Sequence, residues 1–551
     1  MATLVKTPNT FAYLCVLLIG VVAVGLAGPI GASFIDTEPA GPESFVTGAL
    51  SSAPSAPVLT NAGCIATAPT QTNIAATWND AQSATPDASG GYLVSGYSLM
   101  RAPDGSPTYS QDASTAGSPP ATSVTDVTGI GNTAVGLVTN TSSNFVYPVP
   151  ENTLTPGAGI ATNANGGEPN AAQTTPDGQA AVLAESGGGR IQVLSWSGTA
   201  WSVAATLSVP VNHGKPYAVA IDPVQIGGFY VAYVVTNHGA TKSGYVYPVV
   251  LKGASTVLPA PITIGNQSAA GAGAVSTTAA LVTPDGKYLF VTNYNSNSFS
   301  VITTATSAEA NYTLSGSANL PFALSVLPNS ATIYLAERKN SDIVPISEAT
   351  FAAGAAIALP ANSLNDPNVP GSGAPNALAM SPTGSMLYVT EAGAGQVQEI
   401  ATATNTITGT ISTGGAGSSP VGLALSPNGC TLYVTGYNSN NIYSIDITAP
   451  TPAVTTAFTM AYGTADPQPM EVTPDSTYLF VPEQYGNQMD YYDATTSTET
   501  SSPLPGTGTA GSIAIPPVVY TYTVTATHAN ESSNTSPVTT WPVGWNPGAW
   551  Q

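Results

Sequence analysis

The stretch TPDGKYLFVTNYNSNSFSVI (residues 283–302) decides how this chain is read. A short apolar run ends in Thr283, and Pro284-Asp285-Gly286 then turns the chain. Proline presets φ, the aspartate bonds nearby backbone, and glycine takes positive φ. The run Tyr288 to Asn293 is made of β formers that suit a strand on a buried surface, a second turn rich in Asn and Ser follows, and another strand begins at Ser298. The same phrase returns at Thr175-Pro176-Asp177-Gly178, at Ser426-Pro427-Asn428-Gly429 and in weaker forms, eight times between about residues 134 and 517.

Repetition at a near-constant period means one supersecondary unit stacked many times. The unit here is all β, so the array is expected to close into a β-propeller. Inner strands end near Pro176, Pro223, Pro284, Pro328, Pro382, Pro427, Pro474 and Pro516, which predicts eight blades; seven is the alternative, because the units near Val182 and Ile333 are degenerate. The first repeat, at 134–149, lacks an inner strand. The last fragment, Gly511 to Pro517, is an inner strand with nothing after it, and the two complete each other.

Outside the repeats the chain holds two half-domains. Residues 56–129 contain strand patterns around Val58, Trp78, Tyr97 and Val124, and residues 518–540 contain a strand, a polar turn and a strand. Either half alone would expose a sheet edge and an apolar face. Together they supply 97 residues, the size of one sandwich of about 100. The expected organisation is therefore a signal or anchor at 1–32, a linker at 33–55, a sandwich at 56–129 and 518–540, a propeller inserted at 130–517, and a tail at 541–551. Insertion is tolerated when the inserted domain has adjacent ends.

Two resemblances sharpen this expectation. The Val-Thr-Asn and Tyr-Val-Thr phrases at Gly136, Tyr233, Leu387 and Leu432 resemble YVTN-family β-propeller repeats, which are related to lactonase-type propellers. The Pro-rich start, Trp78, Tyr97 and Tyr522-x-Val524-x-Ala526 resemble a fibronectin type III domain. The resemblances imply a microbial surface or secreted protein, with a lactonase-like hydrolase as the alternative.

Charged residues form only 7% of the chain and net charge is −21, from 9 basic and 30 acidic residues. Phosphate binding needs clustered Lys and Arg, so nucleic acid is excluded as a partner. Residues 11–27 are apolar, with Lys6 before them, and are expected to direct export as a cleaved signal or a retained membrane anchor. Extracellular or cell-surface placement follows. Five Asn-x-Ser/Thr sequons occur, at Asn140, Asn266, Asn311, Asn530 and Asn534. Cys15, Cys64 and Cys430 fall in different segments, so no disulfide framework is expected, and a bond between Cys64 and Cys430 is not favoured.

No Gly-x-Ser-x-Gly elbow or HExxH occurs, and no cofactor, metal or catalytic residue is expected. His213 and His238 fall in one repeat and read as loop residues. Asp177, Asp285 and Asp475 sit where the turn demands them. Glu185, Glu337, Glu391 and Glu483 each end a second strand where other repeats carry Asn or Gly; with Arg190 and Arg338 nearby they are the candidate binding residues on a loop face. The expected function is non-catalytic binding of a surface protein or a neutral glycan.

Overall fold

The computed structural model describes residues 54–543, apart from 62–63, 65–73, 80–93, 104–108, 117–120, 127–133, 163–166, 238–243, 266–276, 316–319, 361–374, 416, 461–469, 484–486, 507 and 529–533. The N-terminal apolar segment, His238 and the sequons at Asn266 and Asn530 therefore lie outside the described residues.

The described chain is all β, with short 3₁₀ turns and no α-helix. Eight antiparallel sheets have four strands each. Their first strands are Pro169–Thr174, Lys215–Ile221, Thr277–Val282, Pro321–Val326, Pro375–Met380, Pro420–Leu425, Glu471–Val472 and Ala510–Ala514. Each stops two residues before the proline of its turn, because proline has no N–H to give a ladder. First strands lie beside one another around the molecule, and Ala510–Ala514 lies beside Pro169–Thr174. The first strands thus form a closed inner ring, the arrangement of a β-propeller.

Closure is made by chain segments from opposite ends. Ala510–Ala514 pairs antiparallel with Val135–Asn140, with Ile513 opposite Val138, and Phe145–Pro150 and Ile160–Ala161 complete that sheet. Neighbouring sheets pack face to face. Val138, Tyr147 and Ile513 share one apolar cluster with Phe480, Met489 and Tyr491 of the sheet before them. Tyr388 and Tyr433 are buried in such clusters and Tyr288 and Tyr478 pack against them, as expected for inter-sheet spacers.

The turns between first and second strands interlock. Thr283 Oγ1 donates to Asp285 Oδ1 at 2.7 Å, and the same Oδ1 accepts the Lys287 N–H at 3.2 Å. Thr473 and Asp475, and Ser426 and Asn428, repeat the arrangement at 2.7 and 2.6 Å. These side chains make the turn. Gly286 has φ +72°, and a Cβ there would stand 2.7 Å from Asp222 Oδ1 of the preceding sheet, so the position needs glycine twice over.

Seven of the eight first strands slip register near their start, against the end of the second strand. Such bulges leave a ladder N–H without its carbonyl. Four threonines of the second strands replace that partner. The hydroxyls of Thr139, Thr292, Thr390 and Thr435 accept the N–H of Ser512, Ala279, Ala377 and Gly422 at 2.8, 2.8, 2.9 and 3.1 Å. This is the physical reason for the recurring threonine in the Val-Thr phrase.

Residues on either side of the repeats build one further body. The strands Val58–Asn61, Ile74–Thr77 and Ser123–Asp126 form a three-stranded sheet. Val94–Pro103 pairs with Val518–His528 along nearly its whole length, from Val94 opposite His528 to Pro103 opposite Tyr520. The two sheets share a core in which Ile74, Ala76 and Trp78 meet Tyr97, Leu99, Tyr522 and Val524, with Trp78 edge-on to Tyr97 at 5.5 Å. Two strands differ from expectation: Ser110–Ala116 adds an edge, and Thr539–Val543 continues three residues past 540.

The cysteines correct the sequence reading. Cys64 and Cys430 are bonded across 366 residues, with Cα atoms 4.7 Å apart. Cys430 lies in the turn before Thr431–Gly436, and the tertiary fold brings that turn to the loop holding Cys64. Spacing carries no trace of this, because neither cysteine has a near neighbour in sequence.

The bulge repair is testable. Thr390→Val keeps the shape and removes the acceptor, leaving the buried Ala377 N–H unpaired. Unfolding in denaturant should show a loss of about 1–3 kcal/mol, with Thr390→Ser close to the parent.

Candidate functional site

The end of each second strand marks the same edge of the ring. The eight final residues are Asn140, Glu185, Asn237, Asn293, Glu337, Glu391, Gly436 and Glu483. First strands begin at this edge, and the turns carrying Asp285 and Cys430 lie at the other. All four glutamates of the sequence reading therefore share one end of the molecule, and all four are buried.

The hydrogen bonds of Glu391 run outward along its own sheet. Its Oε2 accepts from Gln396 Nε2 and Gln398 Nε2, both at 2.6 Å, and Gln398 Oε1 accepts from Thr410 at 2.8 Å. Asn293 does the equivalent job with Ser298 and Ser300 at 3.3 and 3.0 Å. Glu337 accepts from Asn340 at 2.9 Å and faces Asp342 in register. Glu185 faces Arg190 in register, and Glu483 faces Gln488. Glu391 thus sits against its own third strand, Glu337 against the turn residue Asn340, and the Glu185 carboxylate beside Thr162 of the neighbouring sheet; among the described residues no hydrogen bond joins Glu185, Glu337 and Glu391. Asn140 is equally buried and donates to Asn487 at 2.7 Å, so its sequon is not open to a glycan in the folded protein.

What the edge does present comes from the bulges. In five repeats the slip falls on the middle residue of a Pro-X-Ala/Gly triplet or beside it: Asn170, Tyr217, Phe322, Asn376 and Val421. A bulge re-aims a side chain without disturbing the rest of the ladder. The triplet is visible in the sequence, but only its structural consequence gives the middle residue a separate role.

One stretch of this edge is chemically distinct. The Arg338 guanidinium lies over the Phe322 ring, with Cζ 4.5 Å from the centroid, and Tyr294 meets Phe322 edge-on at 6.3 Å. Thr278 Oγ1 donates to the Phe322 carbonyl at 2.8 Å, fixing the bulge from the neighbouring sheet. His213, between sheets, stacks on Tyr245 at 4.1 Å and its Nδ1 lies 2.6 Å from the Tyr247 hydroxyl.

No protein-family model matches the chain, and no curated protein does. Solved structures do. Dihydro-heme d1 dehydrogenase NirN, solved in complex with DHE, is similar at 13% identity and a TM-score of 0.51, over 70% of this chain and 75% of that one. AztD from Citrobacter koseri aligns at 14% identity and TM-score 0.47, over 70% and 98%. A 6-phosphogluconolactonase-like protein from Bacteroides uniformis aligns at 13% and 0.41, over 69% and 99%. At such identity the likeness to NirN concerns the fold, and it agrees with the propeller drawn above.

The buried acids set the pH response. Burial, reinforced by the hydrogen bond and charge of Asp475, pushes Glu151 up to about 9 from 4.5. Burial takes Glu471 to about 8, against the Ile515 N–H that it accepts. Burial takes Glu185 to about 7, with Thr162 and Arg190 working the other way. Asp222 rises from 3.8 to about 6, again through burial. Asp285 and Asp493 move down instead; burial pushes both upward, but hydrogen bonds from Lys287 and Thr283, and from Thr495 and Thr496, outweigh it.

An acid raised in the folded state keeps its proton after the unfolded chain has lost it. Its contribution is full below the unfolded pKa and is lost as pH rises through the folded one. The lowered pair contributes above 3.8 and loses that as pH falls further. Thermal midpoints should therefore be highest near pH 4–5, by roughly this linkage, and fall steadily toward pH 9. Glu151→Gln should flatten the last part of that fall. A midpoint that climbs between pH 5 and 9 would contradict the assignment.

Proposed function

We propose that the chain is an exported, non-catalytic binding protein, an eight-bladed propeller of YVTN-like repeats carried on a fibronectin type III-like sandwich. The observation that carries this reading is the Cys64–Cys430 bond. Disulfides persist in oxidising surroundings and are rare in the cytosol. The bond ties the sandwich side of the chain to the turn end of the ring, and the opposite edge, with its varied bulge residues, is left to meet a protein or glycan on a surface. In the chain-entropy account, a crosslink spanning so long a loop is worth on the order of 5 kcal/mol.

The N-terminal apolar segment fits this reading as a signal or a tether. Thiol labelling of denatured, unreduced protein from culture fluid and envelope fractions should leave Cys64 and Cys430 unmodified. Recovery of the whole protein in the cytosol, with both thiols reactive, would count against export.

A lactonase-like hydrolase is the second reading. It is favoured by Glu185, whose carboxyl titrates near neutrality opposite Arg190, in the range a general acid or base requires. Its side chain is fully buried, which weighs against contact with substrate. Lactone hydrolysis abolished by Glu185→Gln, with the fold intact, would promote this reading over the first.

A further inference from the structure

The geometry points to a subsite for a carboxylated sugar ring at Arg338, Phe322 and Tyr294, on the edge of the propeller opposite the disulfide. The inference rests on the binding role proposed above and names the ligand class for one sector of that face.

Arg338 follows the end of its second strand, and Phe322 is the bulged residue of the first strand in the same sheet. Their stacking covers one face of the guanidinium at 4.5 Å. The backbone N–H of Arg338 donates to the Leu320 carbonyl at 3.1 Å, which fixes where the side chain starts. Among the described residues the guanidinium has no hydrogen bond and no ion pair. Glu337, its chain neighbour, is buried and engaged with Asn340. Burial also works against the charge of Arg338 and lowers its pKa, although a guanidinium keeps its proton. A stacked, half-buried fork of N–H donors that the described residues do not satisfy is suited to a planar, bidentate acceptor, and a carboxylate has that shape.

The surroundings favour a sugar as the body that carries the carboxylate. Tyr294, Phe322 and Tyr217 are half-buried rings on adjacent sheets, so each keeps part of its surface open. Aromatic faces accept the C–H face of a pyranose by apolar contact, and the phenol adds a polar handle. Asn170, bulged on another sheet at the same edge and half-buried, offers an amide group of the kind that pairs with hydroxyls.

Charge agrees with the choice of an anion. Of the six described basic residues in the repeats, Arg190, Lys215, Arg338 and Lys339 lie at this edge, and Lys252 and Lys287 lie toward the other. In a chain of net charge −21 with so few cations, Arg338 and Lys339 stand side by side here, while the four glutamates of this edge are buried. This departs from the neutral glycan expected from the sequence, because total charge does not reveal where the few cations gather.

Calorimetry on the full chain, with its disulfide intact, tests the inference. The probes are galacturonate and glucuronate trisaccharides, their methyl esters and the neutral galactose trisaccharide. The acids should bind at least tenfold more tightly than esters or neutral sugar. Arg338→Gln should abolish that preference, Arg338→Lys should restore only part of it by charge without the planar fork, and Phe322→Leu should weaken acid binding about tenfold. Thermal midpoints and thiol counts equal to the parent's would show each variant folded. Equal affinity for acid and ester, or acid binding unchanged by Arg338→Gln, overturns the subsite. Absence of binding by every sugar also overturns it, and leaves the display role to be judged by export and thiol state alone.

Discussion

The pairing of Ala510–Ala514 with Val135–Asn140 is the constraint on which the remaining structure depends. A row of packed sheets has two apolar end faces, and an open row would leave both in water. The last strand of the repeat region completes the sheet begun by the first, so each face finds a partner and the sheet edges are protected. The same pairing brings residues near 134 and 515 together. From there Val94–Pro103 and Val518–His528 meet as neighbours and build the second body. One contact of high sequence separation thus makes two others local in space, and the Cys64–Cys430 bond adds a covalent tie.

A second device is repeated around the ring. The bulge at the start of seven of the eight first strands turns side chains out of the ladder, and the threonine of the second strand satisfies the N–H released where a threonine is present. Scaffold and presentation are thereby separated. The threonine, the proline and the small residue after the bulge do the same job from sheet to sheet, whereas the residue between proline and small residue is free to be Asn, Tyr, Phe or Val. A binding face that differs from sector to sector is a direct product of this geometry.

The acidic residues divide in a similar way. Asp285, in a turn, and Asp493, just before one, are held ionised by hydrogen bonds and belong to the architecture. Those at the ends of second strands and at the ring closure are buried beside amides, hydroxyls or other acids. Burying an isolated charge is costly, and burial raises Glu151 to about 9 and Glu471 to about 8.

The repeat unit, an all-β module of short strands joined by tight turns, is legible in the sequence. Period, turn chemistry and alternation act over a few residues, and the prolines at 176, 284 and 427 mark strand ends wherever the chain is read. Trp78, Tyr97 and Tyr522 likewise announced a shared core. The candidate site was legible only in part. Glu337 and Glu391 could be assigned to one end of the ring, but the direction of their side chains depends on which neighbouring strand offers amides, and Gln398 supplies that only after the sheet has formed. The contact of Arg338 with Phe322 arises from a bulge, which changes register without changing pattern. The Cys64–Cys430 bond depends on where the second body rests against the ring. Local propensity and periodicity set the units and their number of strands; tertiary packing alone decided which side chains of different units face one another, because that depends on distances that no short stretch of chain encodes.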